Sequence, residues 1–301
     1  RSKPFWVGHP WVFSGAIHRV DGSVGDMGGP CVVLDERDNV LGAGFYNPHA
    51  RIAVRILEHR RTTDIDFRPK PLEELLRQRL MAALERRRTL GFPSERTSAF
   101  RLCHGEGDLL GGLAVDSIGD TVLMHLGSRA MYEAREILAR TLSALLDSDR
   151  VVAHVDESAS KLEAIPTGTE VLLGTVGGPI EYREAGLRFV CDLSAGLKTN
   201  LHLEQRDNRA RFAAYCVDHD LLDLYAGAGG FGLHALNAGA ASVYAIDASE
   251  PACSALRANA DLNRMGHALQ VECGDAITYL KEARAQGRTW SRIISDPPPL
   301  A

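Results

Sequence analysis

The spacing of apolar positions changes along the chain, and the first sixty residues show the shortest runs. Compact apolar segments broken by Gly, Asp, Asn and Pro predict strands at Cys31–Asp35, Val40–Tyr46 and Ile52–Glu58. Several short strands joined by such turns are typical of a small barrel. We therefore predict an N-terminal β-barrel-like domain over residues 1–60.

A helical period replaces this pattern after Pro69. Apolar residues from Leu72 onward recur three and four apart and predict a helix that stops near Gly91. A hairpin with strands Leu113–Asp116 and Thr121–Leu126 follows, and the next segments predict a helix at Met131–Leu146 and a strand at Val151–Val155. We assign residues 61–185 to a central α/β domain.

The last third of the chain alternates strands and helices. Buried strands are predicted at Leu221–Tyr225, Ser242–Ile246, Ala268–Glu272 and Arg292–Ser295, with a helical segment between each pair. Strands alternating with helices predict a parallel, doubly wound sheet. We assign residues 186–301 to this third domain, and the chain as a whole to the α/β class.

Composition excludes several classes of protein. With 45% hydrophobic and 24% charged residues, the chain is neither disordered nor collagen-like. No apolar run approaches the length of a membrane helix, so we expect no membrane partner. The six cysteines form no Cys-x-x-Cys pair, which is typical of reduced thiols in a cytoplasmic protein. The net charge is −5, yet the stretch from Arg51 to Arg101 is locally basic, a pattern that fits either phosphate contacts or a solvated helix face.

The candidate chemistry lies where the four predicted strands of the third domain end. The first strand runs into the loop Gly227-Ala228-Gly229, and the other three run into Asp247, Asp275 and Asp296. In open parallel sheets, ligands bind at the carboxyl ends of the strands. A glycine loop lets a ligand approach the backbone, and a carboxylate accepts hydrogen bonds from ribose hydroxyls.

The glycine loop alone fits two kinds of cofactor. Gly227, Gly229 and Gly232 match Gly-x-Gly-x-x-Gly, so a dinucleotide and another adenosine cofactor are equally compatible. The segment Asp296-Pro297-Pro298 favours the second, since its prolines stiffen the loop and fix carbonyls beside a planar base. A dehydrogenase has no evident need for such a loop.

With these motifs in order, the third domain resembles class I S-adenosylmethionine-dependent methyltransferases. The resemblance implies that S-adenosyl-L-methionine is the cofactor, that Asp247 takes the ribose, and that Asp275 takes the adenine. It implies that Asp296, Pro297 and Pro298 face the methyl group and the target base. The candidate cofactor-binding residues are Asp223, Tyr225, Ala226, Gly227, Gly229, Asp247, Ala248, Asp275, Ala276, Asp296, Gln205, Asn208, Lys198 and Thr199.

The resemblance extends over nearly the whole chain. The segment Gly8–Ser14 resembles the opening of a PUA-type RNA-binding domain, and Glu204–Arg209 resembles a segment of the cytosine-C5 methyltransferases of large-subunit ribosomal RNA. That group carries a PUA domain, a central domain and a methyltransferase domain. The resemblance implies large-subunit ribosomal RNA as the partner. The candidate RNA-binding residues are His9, Trp11, Arg77, Arg86 and Arg87.

Methylation of cytosine at carbon 5 needs a cysteine thiolate that adds to carbon 6. None of the six cysteines occupies the family position, so we expect the nucleophile beyond Ala301, in a longer natural chain. Guanine-N2 methylation, which needs no cysteine, and a non-catalytic RNA-binding module are the alternatives. The oligomeric state stays open, with a homodimer as one option.

Overall fold

The computed structural model describes residues 5, 7–22, 25, 28–61, 63–64, 66–175, 177–192 and 201–298. The chain forms two compact units. The first contains residues 1–92 and 101–176, and the second contains residues 93–100 and 177–301. No helix in these described ranges combines the length and the apolar composition that crossing a bilayer would require.

The first unit begins with a four-stranded antiparallel sheet in the order β1-β4-β3-β2. Its strands are β1 (Trp11–Phe13), β2 (Gly29–Leu34), β3 (Val40–Tyr46) and β4 (Ile52–His59). A short 3-10 helix, Ser14–Ala16, follows β1. Val12, Val54 and Ile56 form the small core on one face of this sheet. The strands predicted from the apolar runs are therefore present.

A five-stranded sheet in sequential order, β5-β6-β7-β8-β9, follows. Its strands are β5 (Ala99–His104), β6 (Leu113–Ile118), β7 (Thr121–Leu126), β8 (Arg150–Val155) and β9 (Gly168–Leu173). The helices are α1 (Leu72–Thr89), α2 (Arg129–Glu133), α3 (Arg135–Leu146) and α4 (Glu157–Glu163), with a 3-10 turn at Gly105–Asp108. The single helix predicted over Met131–Leu146 was wrong, because Ala134, with ψ near 2°, separates α2 from α3.

A buried carboxylate joins the two sheets of the first unit. Glu163, at the end of α4, accepts a bond from Arg55 of β4, with 2.7 Å between Arg55 Nη1 and Glu163 Oε1. Asn47 Nδ2 donates to the same side chain and to its backbone carbonyl. Because Glu163 and Asn47 are each only 3% exposed, this network fixes the N-terminal sheet to the five-stranded sheet.

The second unit contains a hairpin and a parallel sheet in the order β14-β13-β12-β15. The hairpin consists of β10 (Ile180–Glu184) and β11 (Leu187–Cys191). The sheet consists of β12 (Asp220–Leu224), β13 (Ser242–Asp247), β14 (Leu269–Cys273) and β15 (Arg292–Ser295). The helices are α5 (Arg206–Ala213), α6 (Gly230–Ala238), α7 (Glu250–Leu262) and α8 (Ala276–Ala285), with 3-10 turns at Leu203–Gln205 and Gly266–Ala268.

Helices cover both faces of this parallel sheet. Leu221 of β12 packs on one face with Ala235 of α6 and Leu256 of α7. Leu222 packs on the other face with Tyr279 of α8. The doubly wound α/β fold predicted from the alternation of strands and helices is confirmed.

The two predicted domain boundaries stay predictions. The first compact unit spans the first two predicted domains, so the division into units does not test the boundary near residue 60. The predicted boundary at 185/186 falls in the turn between β10 and β11, within the second unit.

Candidate functional site

The glycine loop after β12 forms the floor of the site. Its backbone turns sharply, with φ near +60° at Tyr225, +55° at Gly227 and +91° at Gly229. A Cβ on Gly229 would lie 2.7 Å from Leu256 Cδ1, so glycine is required there to let α6 approach α7. A Cβ on Gly227 would meet no heavy atom within 4 Å. The backbone at Gly227 therefore borders open space that a ligand can enter, and the half-buried Ala226 precedes it in the same turn.

Asp223 of β12 stabilises this loop by a buried hydrogen bond. It is 2% exposed, and its Oδ2 accepts a hydrogen bond from the Gly232 amide at 2.9 Å. Burial, reinforced by the nearby carboxylates of Asp247 and Asp296, raises the pKa of Asp223 to about 7, against the opposing effects of the Gly232 amide and Arg209. Its direct contact with a cofactor stays a prediction, because the carboxyl group faces the turn itself.

Asp247 ends β13 and lies against the glycine loop. Its Oδ2 accepts from the Gly227 amide at 2.8 Å, and its Oδ1 accepts from the Ser249 amide at 2.9 Å. The side chain is only half-buried, and the neighbouring Ala248 is exposed. Since each carboxylate oxygen has a second lone pair, Asp247 retains acceptor capacity toward a ligand.

The register of the sheet brings the other predicted acids to the same edge. Leu224 pairs with Ile246 on one side and with Ser295 on the other, so Asp247 and Asp296 flank Tyr225. Asp296 and the prolines Pro297 and Pro298 are all exposed. The sheet therefore gathers the glycine loop, Asp247 and the Asp-Pro-Pro segment at the carboxyl ends of its strands.

Asp275 follows β14 at the same edge and begins α8. Hydrogen bonds from the Thr278 hydroxyl and the Thr278 amide to Asp275 Oδ1, both 2.8 Å long, lower the pKa of Asp275. The carboxylate is exposed, and the next residue, Ala276, is buried in the core under α8. A charged acceptor is thus available beside the loop, and its assignment to the adenine stays a prediction.

The predicted residues before the loop are only partly described. Gln205 and Asn208 share a face, as the spacing predicts, and Asn208 Nδ2 donates to Gln205 Oε1 at 2.8 Å. Lys198 and Thr199 lie outside the described residues.

Two buried residues that the sequence reasoning did not assign hold this segment in place. Arg209 of α5 donates to both carboxylate oxygens of Glu184 of β10, at 2.9 and 3.1 Å, and to the carbonyl of Leu201 at 3.0 Å. A Cβ on Gly230 would lie 2.4 Å from Arg209 Nε, so the guanidinium lies directly against the start of α6. The adjacent pair Gly229-Gly230 was the one sequence signal for such a close approach.

The candidate RNA-binding residues of the first unit are largely engaged within the protein. Arg87 forms two bonds to the buried Asp108, at 2.6 and 2.7 Å, and Arg86 donates to the same carboxylate. Burial alone would raise the pKa of Asp108, but these bonds lower it to about 2. Arg77 lies on the exposed side of α1. Their contacts with RNA stay predictions.

The two aromatic candidates lie together at the start of β1. His9 Nδ1 accepts a hydrogen bond from the Trp11 amide at 3.2 Å, and Trp11 Nε1 donates to Glu106 Oε1 at 2.8 Å. Trp11 therefore connects the N-terminal sheet to the 3-10 turn after β5, and its predicted role in RNA binding remains untested.

A cavity of about 480 Å³ in the second unit opens at the opposite edge of the parallel sheet. It is lined by Asp220 and Ser242, which begin β12 and β13, and by Trp290 before β15. Because parallel sheets bind ligands at the carboxyl ends of their strands, we place the functional site at the glycine loop.

Comparison with known proteins extends these observations. Residues 1–59 match the family of PUA-like domains, and residues 210–299 match the family described as conserved hypothetical protein 95. A crystal structure assigned as a methyltransferase complexed with S-adenosylhomocysteine superposes with a TM-score of 0.80 at 19% identity, over 99% of this chain and 74% of that one. A structure from Streptococcus mutans, assigned as an S-adenosylmethionine-dependent methyltransferase, gives 0.78 at 19% identity with the same coverage. At this identity the two structures show the fold.

The sequence relatives are closer. Ribosomal RNA large subunit methyltransferase I of Tolumonas auensis is 32% identical over 305 residues, covering 100% of this chain and 75% of the relative. The protein of the same name from Pseudoalteromonas atlantica is 30% identical over 299 residues, covering 99% of this chain and 74% of the relative. With this identity over nearly its whole length, the chain belongs to the family of ribosomal RNA large subunit methyltransferase I.

Proposed function

We propose that this chain, an S-adenosyl-L-methionine-dependent methyltransferase of large-subunit ribosomal RNA, methylates a cytosine at carbon 5. The observation that supports methyl transfer at this site is the convergence of the glycine loop, Asp247 and the Asp-Pro-Pro segment at one sheet edge. The names of the relatives give the ribosomal subunit but not the base. The choice of cytosine rests on the resemblance of Glu204–Arg209 and its flanking segments to the cytosine-C5 group.

The residues at this edge fit the cofactor. Asp247 offers acceptor capacity to a ribose, the exposed Asp275 offers a charged acceptor to an adenine amine, and the space above Gly227 admits a ligand to the backbone. When bound, S-adenosyl-L-methionine supplies an electrophilic methyl group on a sulfonium. Pro297 and Pro298 have no backbone N–H, so this rigid segment presents carbonyl oxygens, which suit the amine edge of a base.

Under the cytosine-C5 proposal, no cysteine of residues 1–301 follows the Asp-Pro-Pro segment. Burial raises the pKa of Cys31 to about 11 and that of Cys103 and Cys191 to about 12. A hydrogen bond with Glu250 raises the pKa of Cys273 to about 12. Such thiols stay protonated near neutral pH and are poor nucleophiles. We therefore propose that a further cysteine, beyond Ala301, adds to carbon 6 of the base.

Guanine-N2 methylation is the second candidate, because carbonyls of an Asp-Pro-Pro segment also accept from an exocyclic amine and no cysteine is then needed. To separate the two, the full-length protein is incubated with large-subunit ribosomal RNA and S-adenosyl-L-methionine, and the digested nucleosides are analysed by mass spectrometry. We expect 5-methylcytidine. The appearance of N2-methylguanosine instead would replace our proposal with the second candidate.

Cofactor binding is tested separately by calorimetric titration with S-adenosylhomocysteine. Asp247→Ala should abolish binding, because the substitution removes both the acceptor and the contact with the Gly227 amide. Glu282→Ala is the matched control, since Glu282 is an exposed carboxylate late in α8. Unchanged affinity in Asp247→Ala would contradict the site, and no binding to the wild-type protein would favour a non-catalytic RNA-binding module.

A further inference from the structure

The first unit contains a second cavity, of about 450 Å³, at one end of its five-stranded sheet. We call it the histidine pocket. Its lining includes three imidazoles and several glycines: His104, His125, His154, Gly107, Gly112 and Gly127. His125 of β7 and His154 of β8 are paired in register, so their rings lie side by side on the same face of the sheet. The volume is within the range of small-ligand sites.

The two central imidazoles are oriented by neighbouring residues. Their ring centroids lie 6.0 Å apart at an interplanar angle of 86°, so the edge of one ring points toward the face of the other and each ring is held against its neighbour. A ring nitrogen of His154 lies 3.2 Å from Thr169 Oγ1. His125 Nε2 lies 3.6 Å from Asp116 Oδ2. Fixed aromatic faces next to polar ring nitrogens are the features by which proteins hold unstacked nucleobases.

The carboxylates around the pocket already have partners. Asp116 accepts two bonds from Arg101, at 2.7 and 2.8 Å, and Asp156 accepts from the Ala159 amide at the start of α4. Burial, and after it the nearby His125, lowers the pKa of His154. Because the charged form of the His154 imidazole is disfavoured and the nearby carboxylates already have partners, the pocket suits a flat polar ring better than a phosphate.

The rim of the pocket is attached to the PUA-like sheet. Glu106, which lines the cavity, accepts the bond from Trp11 Nε1 of β1. Both residues belong to the first compact unit. An RNA strand that contacts the PUA-like sheet near Trp11 therefore passes next to the histidine pocket.

We propose that the histidine pocket binds one unpaired nucleotide of the RNA substrate, at a position other than the methylated base. The base stacks on an imidazole face, and its polar edge bonds to ring nitrogens and to the glycine backbone. This inference rests on the proposed function only in taking RNA as the substrate. It is independent of which base is methylated.

The test uses labelled transcripts that together cover large-subunit ribosomal RNA, and fluorescence anisotropy with the full-length protein. The double variant His125→Ala/His154→Ala removes both rings on which a base could stack, so it should bind the tightest-binding transcript about tenfold more weakly. The variant His154→Phe keeps an aromatic face and should lose no more than about threefold. His267→Ala, an exposed histidine of the second unit, is the matched control.

Affinity for S-adenosylhomocysteine is measured on the same variants and should not change. If the double variant binds the transcripts as tightly as the wild-type protein does, the proposal for the histidine pocket is overturned and the proposed function is not. If the wild-type protein binds none of the transcripts, the proposed function is overturned as well. Photo-crosslinking of the wild-type protein does not depend on how the variants fold. Cross-linked nucleotides on peptides with His125 or His154 support the proposal, and cross-links confined to other peptides contradict it.

Discussion

Replacing Arg209 with methionine should strongly destabilise the second unit. The Arg209 side chain is 8% exposed, and the Glu184 side chain that it binds is 1% exposed. Arg209→Met leaves this carboxylate buried beside His234, whose Nε2 lies 3.5 Å away and whose pKa is lowered by burial. Breaking a buried pair by removing one partner typically costs about 3–5 kcal/mol, and we expect a loss of that size.

The magnitude follows from the geometry of the pair. At a separation of 2.9 Å and an effective dielectric constant of about 20, the Coulomb attraction is roughly 6 kcal/mol. Desolvation of each ion costs several kcal/mol, so the intact pair is close to neutral in net free energy. The double variant Arg209→Met/Glu184→Gln should therefore be more stable than Arg209→Met alone, because it no longer buries an unpaired charge.

The assay is urea unfolding monitored by hydrogen exchange in peptides from β12 and α6, which reports on the second unit alone. Arg211→Met, an exposed neighbour on α5, is the control and should stay within about 0.5 kcal/mol of wild type. Affinity for S-adenosylhomocysteine should fall with Arg209→Met, since the guanidinium lies against Gly230. A loss below about 1 kcal/mol, or a double variant less stable than the single one, would refute the reasoning.

Three further predictions concern Asp223, Glu163 and the glycine loop. Burial raises the pKa of Asp223 to about 7 from 3.8, so the folded state holds a proton that the unfolded chain releases. The free energy of unfolding should therefore fall as the pH rises from 5 to 8. In urea titrations at these two pH values, Asp223→Asn should show a smaller difference between them than the wild-type protein does. Glu163→Ala should cost about 3–5 kcal/mol by leaving Arg55 without its carboxylate, measurable as urea unfolding of the first unit. Gly227→Ala should cost only about 1–2 kcal/mol of stability yet weaken S-adenosylhomocysteine binding, whereas Gly229→Ala should impair folding itself, because its Cβ would clash with Leu256.

The sequence was most informative where a continuous apolar segment ends at a polar residue. Strands β12 to β15 were predicted to within about one residue at each end, because buried parallel strands are apolar runs that stop at Gly or Asp. The same logic correctly placed Asp247 and Asp296 beside one loop. The break at Ala134 was missed, since alanine favours helix and nothing in the local pattern signals an interruption.

Buried ion pairs were the part of the structure that sequence patterns did not reveal. Arg209 and Glu184 are 25 residues apart, and each resembles an ordinary surface residue in its local sequence. Their pairing depends on how the β10–β11 hairpin packs in the second unit, which neither periodicity nor turn signals encode. The buried Asp108 is a second example, since its partners Arg86 and Arg87 lie 22 and 21 residues before it.

These ion pairs change the interpretation of the basic stretch from Arg51 to Arg101. A cation that already neutralises a buried carboxylate cannot release counterions from RNA without giving up that partner, so a count of arginines overstates the phosphate-binding surface. Arg87, with a side chain 16% exposed and two bonds to Asp108, is in this position, while Arg77 lies on the exposed side of the same helix. Arg77→Ala should therefore reduce the salt dependence of RNA binding by about one phosphate contact without loss of stability, and Arg87→Ala should mainly lower the free energy of unfolding. If the salt dependence instead followed Arg87, the Asp108 pair would have to open when RNA binds.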